Sequence, residues 1–135
     1  MRTTEALSTI PKHKFTSYVQ PSNLTSSMVE IDRGWERITL LKNNNWKDLP
    51  KHPDLILKNE LTLLHEYLFE AQRLNLLTVE PQYQPSLTQA YTQSLTAIQS
   101  FRQILETSKA SHSSYENAYQ VIKKSCSSCH RKFRN

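Results

Sequence analysis

Apolar side chains return every three or four residues along four stretches of the chain, with polar residues filling the gaps. This is the spacing of helices that each bury one stripe. Leu24, Met28, Ile31, Trp35 and Ile38 form the first stripe, which follows a candidate N-cap at Ser22 or Asn23 and stops at Asn43-Asn44-Asn45, predicting a helix over 22–43. Pro53 suits a first helical turn, and Leu57, Leu61, Leu64, Leu68, Ala71 and Leu74 predict a second helix over 53–77. Pro81 and Pro85 bracket the next loop. Ser86 can then cap a third helix over 86–108, striped by Leu87, Tyr91, Ser94, Ile98, Phe101 and Leu105. Tyr115, Tyr119, Ile122, Cys126, Cys129 and Phe133 predict a fourth over 113–134. Four such helices joined by short connections predict an all-α fold, an up-down-up-down antiparallel four-helix bundle over 22–135. Residues 1–21, polar and containing Pro11 and Pro21, read as an irregular N-terminal arm. The start of the first helix, the end of the second, the start of the third and the end of the fourth then share one end of the bundle.

Composition sharpens this picture. The 135 residues make one domain, and its single glycine, Gly34, speaks against the tight turns of sheets and hairpins. A hydrophobic share of 37% is low for a self-sufficient core, so a large apolar cofactor would complete the interior. The formal charge is +5, with a local cluster of Lys123, Lys124, Arg131, Lys132 and Arg134. No nucleic-acid-reading motif accompanies these basic residues, so no nucleic-acid partner is expected; an acidic redox partner is. The richest apolar stretch, Leu55 to Leu77, is interrupted by Lys58, Glu60, His65, Glu66, Glu70 and Arg73, so no membrane span is expected.

The candidate chemistry lies near the C-terminus. Both cysteines of the chain fall in Cys126-Ser127-Ser128-Cys129-His130, which excludes a disulfide framework. Thiols at i and i+3 lie on one helical face, where both can form thioethers to haem vinyl groups, and the histidine that follows can reach the iron. A thioredoxin-like pair belongs at a helix N-terminus in an α/β fold, and zinc needs a fourth ligand that no further cysteine supplies. The pattern therefore predicts one covalently attached haem c.

With this pentad on the last predicted helix, the chain resembles the cytochrome c-prime family, the class II cytochromes c. Their attachment motif has the form C-x-x-C-H-x-x-[FY]-R, and CSSCHRKFR at 126–134 matches every fixed position. The resemblance covers the four helices and not the arm. It implies thioethers at Cys126 and Cys129, His130 as proximal iron ligand, and Arg134 near a haem propionate. The family divides on the opposite side of the iron. One branch leaves it five-coordinate and open to NO or CO, whereas the low-spin branch closes it with a methionine early in the first helix. Only Met1 and Met28 exist here, and Met28 lies one turn after the cap at the bundle end that holds His130. The run SMVEIDRGWERITLLKNN also resembles the ligand-bearing helix of Met/His bundle cytochromes. The resemblance thus implies Met28 as distal ligand. Five-coordinate iron, covered by Met28 or Ile31, and bis-histidine ligation through His65 or His13 stay open, while His52 and His112 read as solvated. By bundle geometry Leu68, Leu74, Leu87 and Tyr91 should approach the haem, and Trp35 should pack deeper as core.

Two filled axial positions leave no site for substrate, so the expected function is one-electron transfer without catalysis. A gas-binding protein with an open distal face, or a haem subunit anchored to a larger enzyme through residues 1–21, are the alternatives. The continuous apolar seam also allows homodimers. Covalent haem attachment takes place outside the cytoplasm, and MRTTEALSTIPKHKF has no apolar signal core; the expectation is a bacterial periplasmic protein whose signal has been removed.

Overall fold

The computed structural model describes residues 21–107 and 110–133, with side chains over 24–107 and 110–128. Four helices account for most of these residues: α1 (Pro21–Asn43), α2 (Leu57–Thr78), α3 (Gln84–Ile104) and α4 (His112–Phe133), with a 3-10 turn at Pro81–Tyr83 ahead of α3. Among the described residues there is no strand, only an isolated bridge between Leu49 and His52. None of the helices described is long and apolar enough to cross a membrane. The arm, apart from Pro21, lies outside the described residues.

Local chemistry sets the helix ends. α1 closes through a Schellman motif. Asn45 adopts φ 60° and donates its N–H to the Lys42 carbonyl, while the Trp46 N–H reaches back to the Leu41 carbonyl at 2.7 Å. The Asn44 side-chain amide then donates to the carbonyls of Lys47 and Asp48, fixing the loop's exit. α4 opens with a reciprocal cap. The Ser114 N–H donates to the Ser111 hydroxyl at 3.1 Å, and the Ser111 N–H donates to the Ser114 hydroxyl at 2.9 Å, giving each amide a side-chain acceptor. α2 starts later than its stripe suggests, at Leu57 and not at Pro53. Residues 49–55 are taken up by turns closed by the His52 N–H on Leu49 and the Leu55 N–H on His52, and Ile56 enters the helix in extended conformation. α3 starts two residues early, with Pro85 in its first turn and no side-chain cap from Ser86, and it ends at Ile104 rather than 108.

α1 packs on α2, α2 on α3, and α3 on α4. The core runs along the predicted stripes, with Ile38, Leu61, Ile98, Phe101 and Ile122 sealed from solvent. The buried Glu60 carboxylate accepts from the Arg37 guanidinium at 2.6 Å, so α1 and α2 are also joined by a charged pair. α1 meets α4 through side chains. Trp35 stacks on Tyr119, Thr39 and Tyr119 share a hydroxyl hydrogen bond of 2.8 Å, and Lys42 pairs with Glu116 at 3.4 Å. Trp46 folds back into the same end of the molecule. Its ring stands edge-on to Phe101, Tyr115 and Tyr119, and its indole N–H donates to Glu116 at 2.9 Å.

Candidate functional site

Away from this aromatic end, the four helices enclose a cavity of about 270 Å³. α1 contributes Met28, Ile31, Asp32 and Trp35 to its wall; α2 contributes Leu64, Leu68 and Asn75; α3 contributes Leu87, Tyr91, Ser94 and Ile98; α4 contributes Lys123, Cys126 and Ser127. The walls are apolar because they are the inner stripes of the helices. Ionisable groups enter where a helix turns its flank to the opening, at the exposed Asp32 on one side and the exposed Lys123 on the other.

Met28, Leu68, Leu87, Tyr91 and Cys126, the site residues read from the sequence whose side chains are described, all line this one cavity. Leu74 is buried but is not on its wall, because the polar Asn75 takes the place at that level of α2 and donates to the Tyr91 hydroxyl at 2.8 Å. Trp35 is not plain core: one side of it faces the cavity while its ring stacks on Tyr119 at 4.5 Å. α4 continues through positions 129 and 130, which fall by helical register on the same face as Cys126. The side chains of Cys129 and His130, and all of Arg134, lie outside the described residues.

Comparison of the chain with family models, curated proteins and solved structures finds no match. The site therefore has to be read from its own chemistry.

The half-buried Cys126 is the most informative group. Its thiol donates to the Ser94 hydroxyl at 4.0 Å; Ser94 donates to Ser125 at 3.0 Å, and Ser125 to the Ile122 carbonyl at 2.8 Å. This line of donors ends on the helix backbone, so the buried Ser94 is satisfied by neutral partners. Burial pushes the thiol pKa up. The hydrogen bonds of Ser94 and Ser125 pull the other way, and the Asp32 carboxylate adds a smaller push upward. A thiol held this way stays protonated near neutral pH and is a poor free nucleophile. It sits at an apolar wall as a small, soft group.

Sequence reasoning missed Asp32, Asn75, Lys123 and Ser127 as wall residues, since polar positions beside a stripe carry no periodic signal. The bis-histidine candidates fare differently. His13 lies outside the described residues, and His65, on α2, is half-buried but does not line the cavity. Burial holds the His65 pKa below its usual value of 6.5, with help from Arg102 and against Glu66. The unfolded chain thus takes up this proton at a higher pH than the folded chain does. Stability from His65 is complete above about pH 6.5 and is lost as pH falls from there through the lower folded value. Thermal melts across this range should show the native chain losing more of its melting temperature on acidification than His65→Gln does.

Proposed function

We propose that this chain is a monohaem c-type cytochrome of the class II, four-helix-bundle kind, a one-electron carrier rather than an enzyme. The observation that carries this reading is that Met28 and Cys126 line one apolar cavity built by all four helices, with Cys129 and His130 following on the same face of α4. The donor set fits haem c. A thioether and an imidazole would hold the iron, two thiols would bond the vinyl groups, and the apolar walls suit the macrocycle.

In this reading Cys126 and Cys129 hold the porphyrin covalently, and His130 and Met28 grip the metal from α4 and α1. Leu68, Leu87 and Tyr91 would exclude water from the cavity that holds the porphyrin. Lys123 at the opening, together with Arg134, would balance the propionate charges. When bound, the haem supplies a ferric–ferrous couple that the thioether ligand biases toward the reduced state. The basic residues around the attachment site favour docking of an acidic redox partner. The helices run up-down-up-down. This order is supported by the Arg37–Glu60 pair, which joins the second half of α1 to the start of α2, and by the Asn75–Tyr91 bond, which joins the end of α2 to the first half of α3. Covalent attachment implies maturation in the bacterial periplasm.

Ferric and ferrous spectra of the haem-loaded protein beside Met28→Ala test the ligand set. The native protein is expected to be low-spin with a sulfur-to-iron charge-transfer band, and the variant to lose that band and turn high-spin. A low-spin spectrum unchanged in the variant would remove Met28 from the iron. A native protein that is already high-spin and binds CO readily would favour the gas-binding alternative.

A further inference from the structure

The aromatic end of the molecule connects to the cavity through rings in contact. Trp35 lines the cavity and stacks on Tyr119 with ring centroids 4.5 Å apart and planes 15° from parallel; Tyr119 lies 6.0 Å from Trp46. The polar surroundings of these rings differ in kind. Among the described residues the Tyr119 hydroxyl meets the Thr39 hydroxyl, which is no base, and the Lys42 ammonium stands 5.3 Å over the Tyr119 ring, which disfavours positive charge there. The Trp46 indole N–H instead points at one oxygen of the Glu116 carboxylate, 2.9 Å away, with His112 3.9 Å from that same oxygen and Lys42 3.4 Å from the other. Trp46 keeps this place although its backbone sits at φ 65°, a region costly for a bulky residue.

We infer that Trp35, Tyr119 and Trp46 form a relay that drains a one-electron vacancy from the cavity wall to Trp46, where Glu116 takes up the indole proton. A one-electron oxidant such as the azide radical takes an electron at Trp35 and leaves as azide anion. Trp46 refills the vacancy through Tyr119. At Trp46 the N–H bond breaks and an O–H bond forms on Glu116, leaving a neutral indolyl radical and a carboxylic acid. Tyr119 conducts without retaining the charge, because it has a cation above it and its hydroxyl meets, among the described residues, a hydroxyl and no base that could take its proton. The oxidising equivalent thereby moves away from the Met28 sulfur, which shares the cavity wall with Trp35. This relay consists of the chain's own side chains and does not rest on the haem reading.

The test is pulse radiolysis of the full-length chain in azide buffer, followed by transient absorption and by electron paramagnetic resonance of frozen samples. With two tryptophans in the chain, single variants assign each indolyl signal. The native spectrum should match that of Trp35→Phe, a neutral radical on Trp46, and most of that signal should vanish in Trp46→Phe. In Tyr119→Leu a second, Trp35-based signal should appear. In Glu116→Gln the Trp46 radical should persist as the protonated cation and decay several-fold faster. Glu116→Gln is isosteric, so with its helix content checked by circular dichroism it carries the test even where Tyr119→Leu fails to fold. A native signal that survives in Trp46→Phe, or a Glu116→Gln radical identical to the native one, overturns the relay.

Discussion

Replacing Cys126 and Cys129 together by alanine is expected to remove covalent porphyrin completely. Matured in a host able to attach haem, the native chain should gain the mass of one haem and keep its colour after denaturation and acid–ketone extraction. The double variant should show the mass of the bare polypeptide. The reason is geometric. The two sulfurs are three residues apart on one helix, so each can bond one side of the same macrocycle, and without them only the axial ligands and wall contacts would retain it. Either single variant keeps one link and should still be coloured after extraction. A native chain with no added mass under these conditions would end the cytochrome reading outright, whatever Met28 does.

The second large effect falls on the aromatic end. Phe101 is fully buried and touches both Trp46 and Tyr115, with ring centroids 5.6 Å away in each case. Phe101→Ala empties space between α3, α4 and the loop after α1, and neighbours fixed by the Trp46–Glu116 and Thr39–Tyr119 hydrogen bonds cannot collapse into it freely. The expected loss is about 3–5 kcal/mol, a large share of a single domain's stability. Urea denaturation of the full-length protein measures it, with Val121→Ala as the control. That side chain is 55% exposed, and its truncation should cost no more than about 0.5 kcal/mol. Equal losses in the two variants would contradict the packing described.

The four helices were legible in the sequence because each buries one stripe, and a stripe needs only periodicity to be seen. Ile38, Leu61, Ile98 and Ile122 sit where their spacing put them. The start of α2 was not legible, since Pro53 is as compatible with a turn as with a first helical turn, and the choice depends on turn hydrogen bonds around Leu49 and His52 and on the burial of Leu55. Trp46 was invisible for a related reason: it belongs to no stripe, and its inward course follows from two successive positive φ angles that no pattern of residue types encodes. Of the site, the sulfur-bearing positions could be found because Met and Cys are scarce and their spacing is chemical. Lys123 looked like one surface charge among several, and only the fold brings it to the mouth of the cavity.

The two ends of the molecule differ in what fastens them. Around Trp46 the loop, α1, α3 and α4 are riveted by interlocking rings and by the Glu116 carboxylate, while at Met28 and Cys126 the same helices flank open space. Such a body resembles a clothes peg, whose spring lies at one end and whose jaws lie at the other. A guest that bridges α1 and α4 across the jaws would add a second fastening at the end opposite the spring.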